Sequence, residues 1–97
     1  MDKDENAAAK YLTSKGYKVL RRNFKARQFG EIDIIALHPN KKVLVFAEVR
    51  TKLGRKAAPD TREMIRAYYS CYTETKIASQ MDIVAVVPAG IRHVEDV

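Results

Sequence analysis

Tryptophan is missing from this sequence, and cysteine occurs once, at Cys71, so no internal disulfide can form. The four glycines are scattered and build no phosphate-binding loop, and the three prolines lie far apart. No apolar run approaches the roughly 20 residues that a membrane-spanning helix needs. The opening MDKDENAAAK is acidic and polar, unlike a secretory leader, so the cytosol is the expected compartment. Repeats, low-complexity tracts and long linkers are also lacking, and 97 residues suit one domain, 1–97. Ser14, Ser70 and Ser79 sit in no nucleophile signature. These absences exclude a disulfide scaffold, a helical membrane protein and a Walker-type nucleotide hydrolase.

Charge of one sign is also in short supply. Twelve acidic residues face eighteen Lys and Arg, for a net charge of +6. Residues 1–56 carry 14 basic side chains against 6 acidic ones, whereas residues 57–97 carry 4 against 6. One basic group is Lys18, Arg21, Arg22, Lys25 and Arg27; a second is Arg50, Lys52, Arg55 and Lys56. Such a bias points to a polyanionic partner, nucleic acid first, although a solvated basic face would look the same.

The apolar pattern divides the chain. Asp2 and Glu5 have capping-box spacing for a helix over about residues 3–15, with Ala8, Tyr11, Leu12 and Lys15 on one face and Gly16 as its stop. YKVLRRNF, EIDIIALH and KVLVFAEVRT read as strands, the last two joined by a Pro-Asn turn. KLGRKAAPD is a basic loop. Asp60 and Glu63 would cap a second helix with Ile65, Tyr68, Tyr69 and Tyr72 on one face; that spacing suits core packing better than base stacking. MDIVAVVP is a further strand, and AGIRHVEDV gives a turn and a short final strand. The order αβββαβ predicts an α/β domain with a mixed sheet, in which the long connection lets KVLVFAEVRT and MDIVAVVP run parallel.

Within this apolar frame stand Glu31, Asp33, Glu48 and Arg50. An acid on an apolar strand is costly unless something compensates it. Alternation puts Asp33 on one face of its strand, and Phe46, Glu48, Arg50 and Lys52 on one face of theirs. If the turn is centred between Pro39 and Asn40, Asp33 faces Phe46, Glu31 faces Glu48, and Asp33 and Glu48 are diagonal neighbours. From there the two carboxylates can converge on one hard cation, Mg²⁺ or Mn²⁺, beside a phosphate-facing Arg50. The structural alternative is a set of ion pairs between Glu48 and Arg50, Lys52 or an arginine of the first strand. A one-residue slip would separate the two acids onto opposite faces.

The remaining candidates point elsewhere. His38 and His93 have no Cys or His at metal-ligand spacing and read as surface or strand-end residues rather than zinc ligands. Cys71, beside Tyr72 in the helical pattern, reads as packing.

NFKARQFGEIDIIA followed by VLVFAEVRTK resembles the YraN-like family of small, uncharacterised bacterial proteins, with its G-E-I-D-[IL]-I-A and V-F-[VA]-E-V-K stretches. ENAAAKYLTSKGYKVLRRNF, MDIVAVV and IRHVEDV match the family's first helix and strand and its closing FDVV and I-x-H-I segments. The likeness spans nearly the whole chain, loosely over residues 53–79. That family is similar to restriction-endonuclease-like folds with a PD-(D/E)XK site and to archaeal junction resolvases. The resemblance implies Asp33 and Glu48 as metal-binding acids, with Glu5 as a third. One departure stands out: Arg50 occupies the position of the family's lysine and, always protonated, cannot serve as a base. Lys52, on the same face, is the substitute.

The expected function is a Mg²⁺- or Mn²⁺-dependent endonuclease-like protein acting on DNA, with branched or damaged DNA as candidate substrates. Asp33, Glu48, Arg50 and Lys52 would be catalytic, and Lys18, Arg21, Arg22, Lys25, Arg27, Arg55 and Lys56 would grip the backbone. The alternatives are an inactive nucleic-acid-binding module of the same fold, and a protein-interaction subunit with a basic face. A symmetric substrate cut on both strands would call for a homodimer.

Overall fold

The computed structural model describes residues 3–25, 31–40, 42–50 and 78–96. It contains helix α1 (Lys3–Ser14) and strands β1 (Lys18–Lys25), β2 (Glu31–Leu37), β3 (Val43–Arg50), β4 (Ala78–Val87) and β5 (Gly90–Val94). The expected second helix, with Ile65, Tyr68, Tyr69, Cys71 and Tyr72, lies outside the described residues, as do Asp2, Arg27, Lys52, Arg55 and Lys56.

The five strands form one sheet in sequence order. β1–β2, β2–β3 and β4–β5 are antiparallel, and β3–β4 is parallel, as the long connection predicts. This single mixed-sheet α/β domain is broadly consistent with a restriction-endonuclease-like fold. β3 lies at the centre, buried from Leu44 through Val49. That explains its near-continuous apolar sequence.

Packing separates the two faces of the sheet. Ala8 and Leu12 of α1 pack with Ile34, Ala36, Val45, Ala47, Val49 and Val84. Phe24, Ile32, Ile35, Leu44, Phe46 and Met81 form a second apolar group, which Ile32 joins although Ile34, two residues on, packs with α1. By alternation Glu48 belongs with Phe46, away from α1, and Asp82 with Val84, toward α1; Asp33 lies where alternation breaks in β2, between Ile32 and Ile34.

The helix ends as Gly16 foretells. Gly16 N–H donates to Thr13 O and Tyr17 N–H to Leu12 O, both at 3.0 Å. This is a Schellman motif, and it needs the left-handed φ of +93° that glycine adopts without strain. Tyr17 then packs back onto Leu12.

The β2–β3 register differs from expectation. Ile34 faces Ala47, Ile35 faces Phe46 and Leu37 faces Leu44, a shift of two residues from the pairing centred on Pro39–Asn40. Asp33 does not face Phe46, and Glu31 does not face Glu48. The turn is wider because its side chains supply bonds. His38 N–H donates to Val43 O, His38 Nδ1 accepts from Asn40 N–H at 3.1 Å, and Asn40 Oδ1 accepts from Lys42 N–H at 2.8 Å. An even shift leaves the faces of the paired β2 residues, 34–37, as expected.

Candidate functional site

In the observed register the paired ladder ends at Ile34 and Ala47. Continuing it by one residue sets Asp33 directly across from Glu48 rather than diagonal to it. Beyond the ladder's end, Val49 N–H donates to Asp33 Oδ2 at 2.8 Å. A side-chain carboxylate thus occupies the place of a strand partner for β3, and that bond fixes Asp33 beside the residue that follows Glu48. Asp33 is half-buried, Glu48 is 5% exposed, and Arg50 follows at the edge of the buried run. Glu48 Oε2 and Arg50 Nε are both buried. Carboxylates that come close at low exposure repel unless cations offset them. Carboxylate oxygens are the hard donors that Mg²⁺ and Mn²⁺ accept.

Glu5 is placed differently. It is buried in the first turn of α1, where its Oε1 accepts from Arg22 Nε at 3.1 Å and Asn23 Nδ2 at 3.0 Å, with Arg22 Nη2 at 3.0 Å. Arg22 also donates to Asn6 Oδ1 at 2.6 Å. Asn23 sits at φ 54°, a left-handed kink within β1 that presents its amide to the helix. The third acid of the expected set is therefore tied to β1. Among the described residues, Glu5, Asp33 and Glu48 do not form a group whose ligand atoms all lie within 4.8 Å.

The basic residues divide in the same way. Lys18, Arg21 and Lys25 are exposed along β1, an edge strand, whereas Arg22 is engaged with the helix. A shallow pocket of about 580 Å³ opens between α1 and β1, lined by Asn6, Lys10, Thr13, Val19 and Arg22 among others; neither Asp33 nor Glu48 lines it.

A cluster that sequence spacing missed lies on the α1 face. Asp82, fully buried on β4, has His93 Nε2 2.6 Å from its Oδ2; its Oδ1 accepts from Gln80 Nε2 at 2.9 Å and Asp96 N–H at 3.0 Å. The Tyr11 hydroxyl lies 3.3 Å from His93 Nδ1. Tyr17 donates to Glu95 Oε1 at 3.0 Å, and His38 Nε2 is 3.6 Å from the same oxygen. The Tyr17 phenol is pushed well above its ordinary range, first by burial and then by the Glu95 carboxylate. Far from being a surface residue, His93 has a side chain only 9% exposed. Its partners come from β4 and α1, so motif spacing within one segment could not show them; the β4–β5 register, with Val84 opposite His93, could have.

A small α/β domain with Asp33 bonded to the Val49 amide at the end of the β2–β3 ladder, Glu48 buried on the neighbouring strand, and a basic edge is the class these features define. Residues 4–86 match the model of the uncharacterised protein family UPF0102, and the chain belongs to that family. It is 37% identical over 106 residues to a UPF0102 protein of Fervidobacterium nodosum, covering 96% of this chain and 77% of the relative. It is 35% identical over 102 residues to a UPF0102 protein of Thermotoga petrophila, covering 96% and 91%. Among the described residues, no helix is long and apolar enough to cross a membrane.

Proposed function

We propose that this chain is a nucleic-acid-binding, metal-dependent endonuclease-like protein that hydrolyses phosphodiester bonds, with branched or damaged DNA as the expected substrate. The observation that supports the reading is the Val49 N–H bond to Asp33, which holds one acid against the residue that follows the buried Glu48 at the end of the β2–β3 ladder. Asp33 and Glu48 would hold Mg²⁺ or Mn²⁺. When bound, the ion would supply Lewis acidity and a water of lowered pKa. Glu48 contributes charge from a low-dielectric position, and Asp33 is held by a backbone donor that limits its rotation. Arg50 offers a permanent positive charge to a phosphate oxygen and stabilises charge that develops there, without moving a proton. Glu5 would join only by giving up Arg22 and Asn23, and Lys52 is the other candidate for the family's lysine.

The test is incubation of supercoiled, single-stranded and four-way-junction DNA with the chain and Mn²⁺. Cutting is expected, with a loss of at least about 100-fold in Asp33→Asn and Glu48→Gln, since loss of a direct ligand should cost no less than loss of its supporting groups. Cutting that survives both substitutions overturns the reading. Arg50 favours a second reading, a binding module that does not cut; junction binding without cleavage in either metal would establish it. Failure to bind any nucleic acid at low salt would leave the protein-interaction reading.

A further inference from the structure

The cluster on the α1 face has a composition and an arrangement that the Asp33–Glu48 pair does not explain. One imidazole and two carboxylates come together there, and the ligand atoms of Asp82, His93 and Glu95 all lie within 4.8 Å of one another. The β4–β5 register accounts for this. His93 pairs with Val84, and continuing the ladder past Ile83–Val94 sets Glu95 across from Asp82, so all three project to one side. Asp82 shares its face with Ala47, its partner on β3, and therefore lies on the opposite face of the sheet from Glu48.

We propose that Asp82, His93 and Glu95 form a second metal site, suited to a borderline transition-metal dication of the zinc type. Mixed imidazole and carboxylate ligation is a donor set that Zn²⁺ takes and Mg²⁺ does not favour. Each ligand is already steered by a second group, as metal ligands commonly are. Gln80 and the Asp96 amide occupy Asp82 Oδ1, which turns Oδ2 toward the imidazole. The Tyr11 hydroxyl at Nδ1 leaves Nε2 as the inward nitrogen. Tyr17 holds one oxygen of Glu95. Exposure grades across the site, from 0% for the Asp82 side chain through 9% for His93 to 54% for Glu95. The site is thus closed on the sheet side and open toward solvent, so an ion can enter past Glu95 and keep water in its remaining positions. Without an ion, the Nε2–Oδ2 contact of 2.6 Å holds the two inner ligands together; when an ion takes Nε2, the ring keeps its proton on Nδ1 and donates it to the Tyr11 hydroxyl oxygen.

The experiment is a Zn²⁺ titration of the full chain, stripped with chelator, by calorimetry and by competition with a chromophoric indicator, in the Asp33→Asn background. That background separates this site from the proposed nuclease site. One Zn²⁺ per chain is expected, with Mg²⁺ failing to compete. Glu95→Gln and His93→Gln should each weaken binding by more than ten-fold, and Tyr17→Phe by roughly ten-fold. The half-exposed Glu95 makes its variant the safer fold control, checked by circular dichroism. Absence of Zn²⁺ binding, or binding unchanged in a folded Glu95→Gln chain, overturns the proposal. Zn²⁺ binding that vanishes only when Asp33 is replaced also overturns it, and assigns the ion to the other face.

Discussion

Without the Arg22 guanidinium, the Glu5 carboxylate would stay almost wholly buried, with Asn23 as its remaining side-chain donor among the described residues. A hydrogen bond to a charged group contributes about 1.5–3 kcal/mol, and a buried partner left behind adds its own desolvation cost. Arg22→Met should therefore lower the urea unfolding free energy by about 2 kcal/mol, while adding Glu5→Gln should restore part of the loss. Additive losses in the double variant would show the pair to be uncoupled. This residue illustrates how charge alone misleads. Arg22 counts toward the basic patch in composition, yet its contacts are with the helix. Tyr17 makes a separate case. Its raised phenol means that, as pH climbs past the ordinary value of 10.0, the unfolded chain loses that proton before the folded one. Stability must then fall with rising pH above about 10, and below it the effect vanishes. Denaturation midpoints measured through the alkaline range should show this fall, and Tyr17→Phe should reduce it.

At the scale of elements, Gly16 offers the cleanest probe. A Cβ there would meet Pro39 at 3.5 Å, ordinary contact, so substitution costs backbone strain and not a clash. Gly16→Ala should destabilise by about 1–2 kcal/mol, the cost of a left-handed φ for an L residue, and Gly16→Asn by less. Thermal melts of the two variants rank them; equal losses would point to the Pro39 contact instead. The helix stop, the five described strands and the parallel β3–β4 pairing were all legible, because glycine chemistry, period-two alternation and connection length each leave a local mark. The turn was harder to read. Its width depends on His38 and Asn40 turning their side chains back onto the backbone, a bond pattern that a Pro-Asn pair does not announce. The error was even, so the faces of the paired β2 residues, 34–37, were still as expected. Glu5 shows the reverse: a helix residue whose partner is decided by a kink at Asn23, 18 positions away, which no periodicity encodes. The Asp82–His93 contact leaves no mark in motif spacing, because it is made across the β4–β5 pair; the register of that pair is what places the two residues together.

For the whole molecule, the question is what the excess of positive charge does. Lys18, Arg21 and Lys25 lie along an edge strand, and edge strands are often lined with cations simply to prevent sheets from joining. Protection of the edge and grip on a phosphate backbone make different demands. Edge protection is local and leaves the affinity for DNA unaffected. A grip releases counterions, so log affinity falls linearly with log salt, by roughly 0.9 for each phosphate neutralised on duplex DNA. Replacing Lys18, Arg21 and Lys25 together with Gln should therefore weaken duplex binding at every sequence and lower the salt slope by roughly 2 to 3. Fluorescence anisotropy across a salt series measures both quantities. An unchanged slope, accompanied by self-association of the triple variant in sedimentation, would assign these side chains to edge protection and place the grip elsewhere on the chain. A reduced slope with a monomeric triple variant would make β1 the track along which DNA approaches the Asp33–Glu48 end of the sheet, because β1 pairs with β2 up to Glu31, two residues from Asp33.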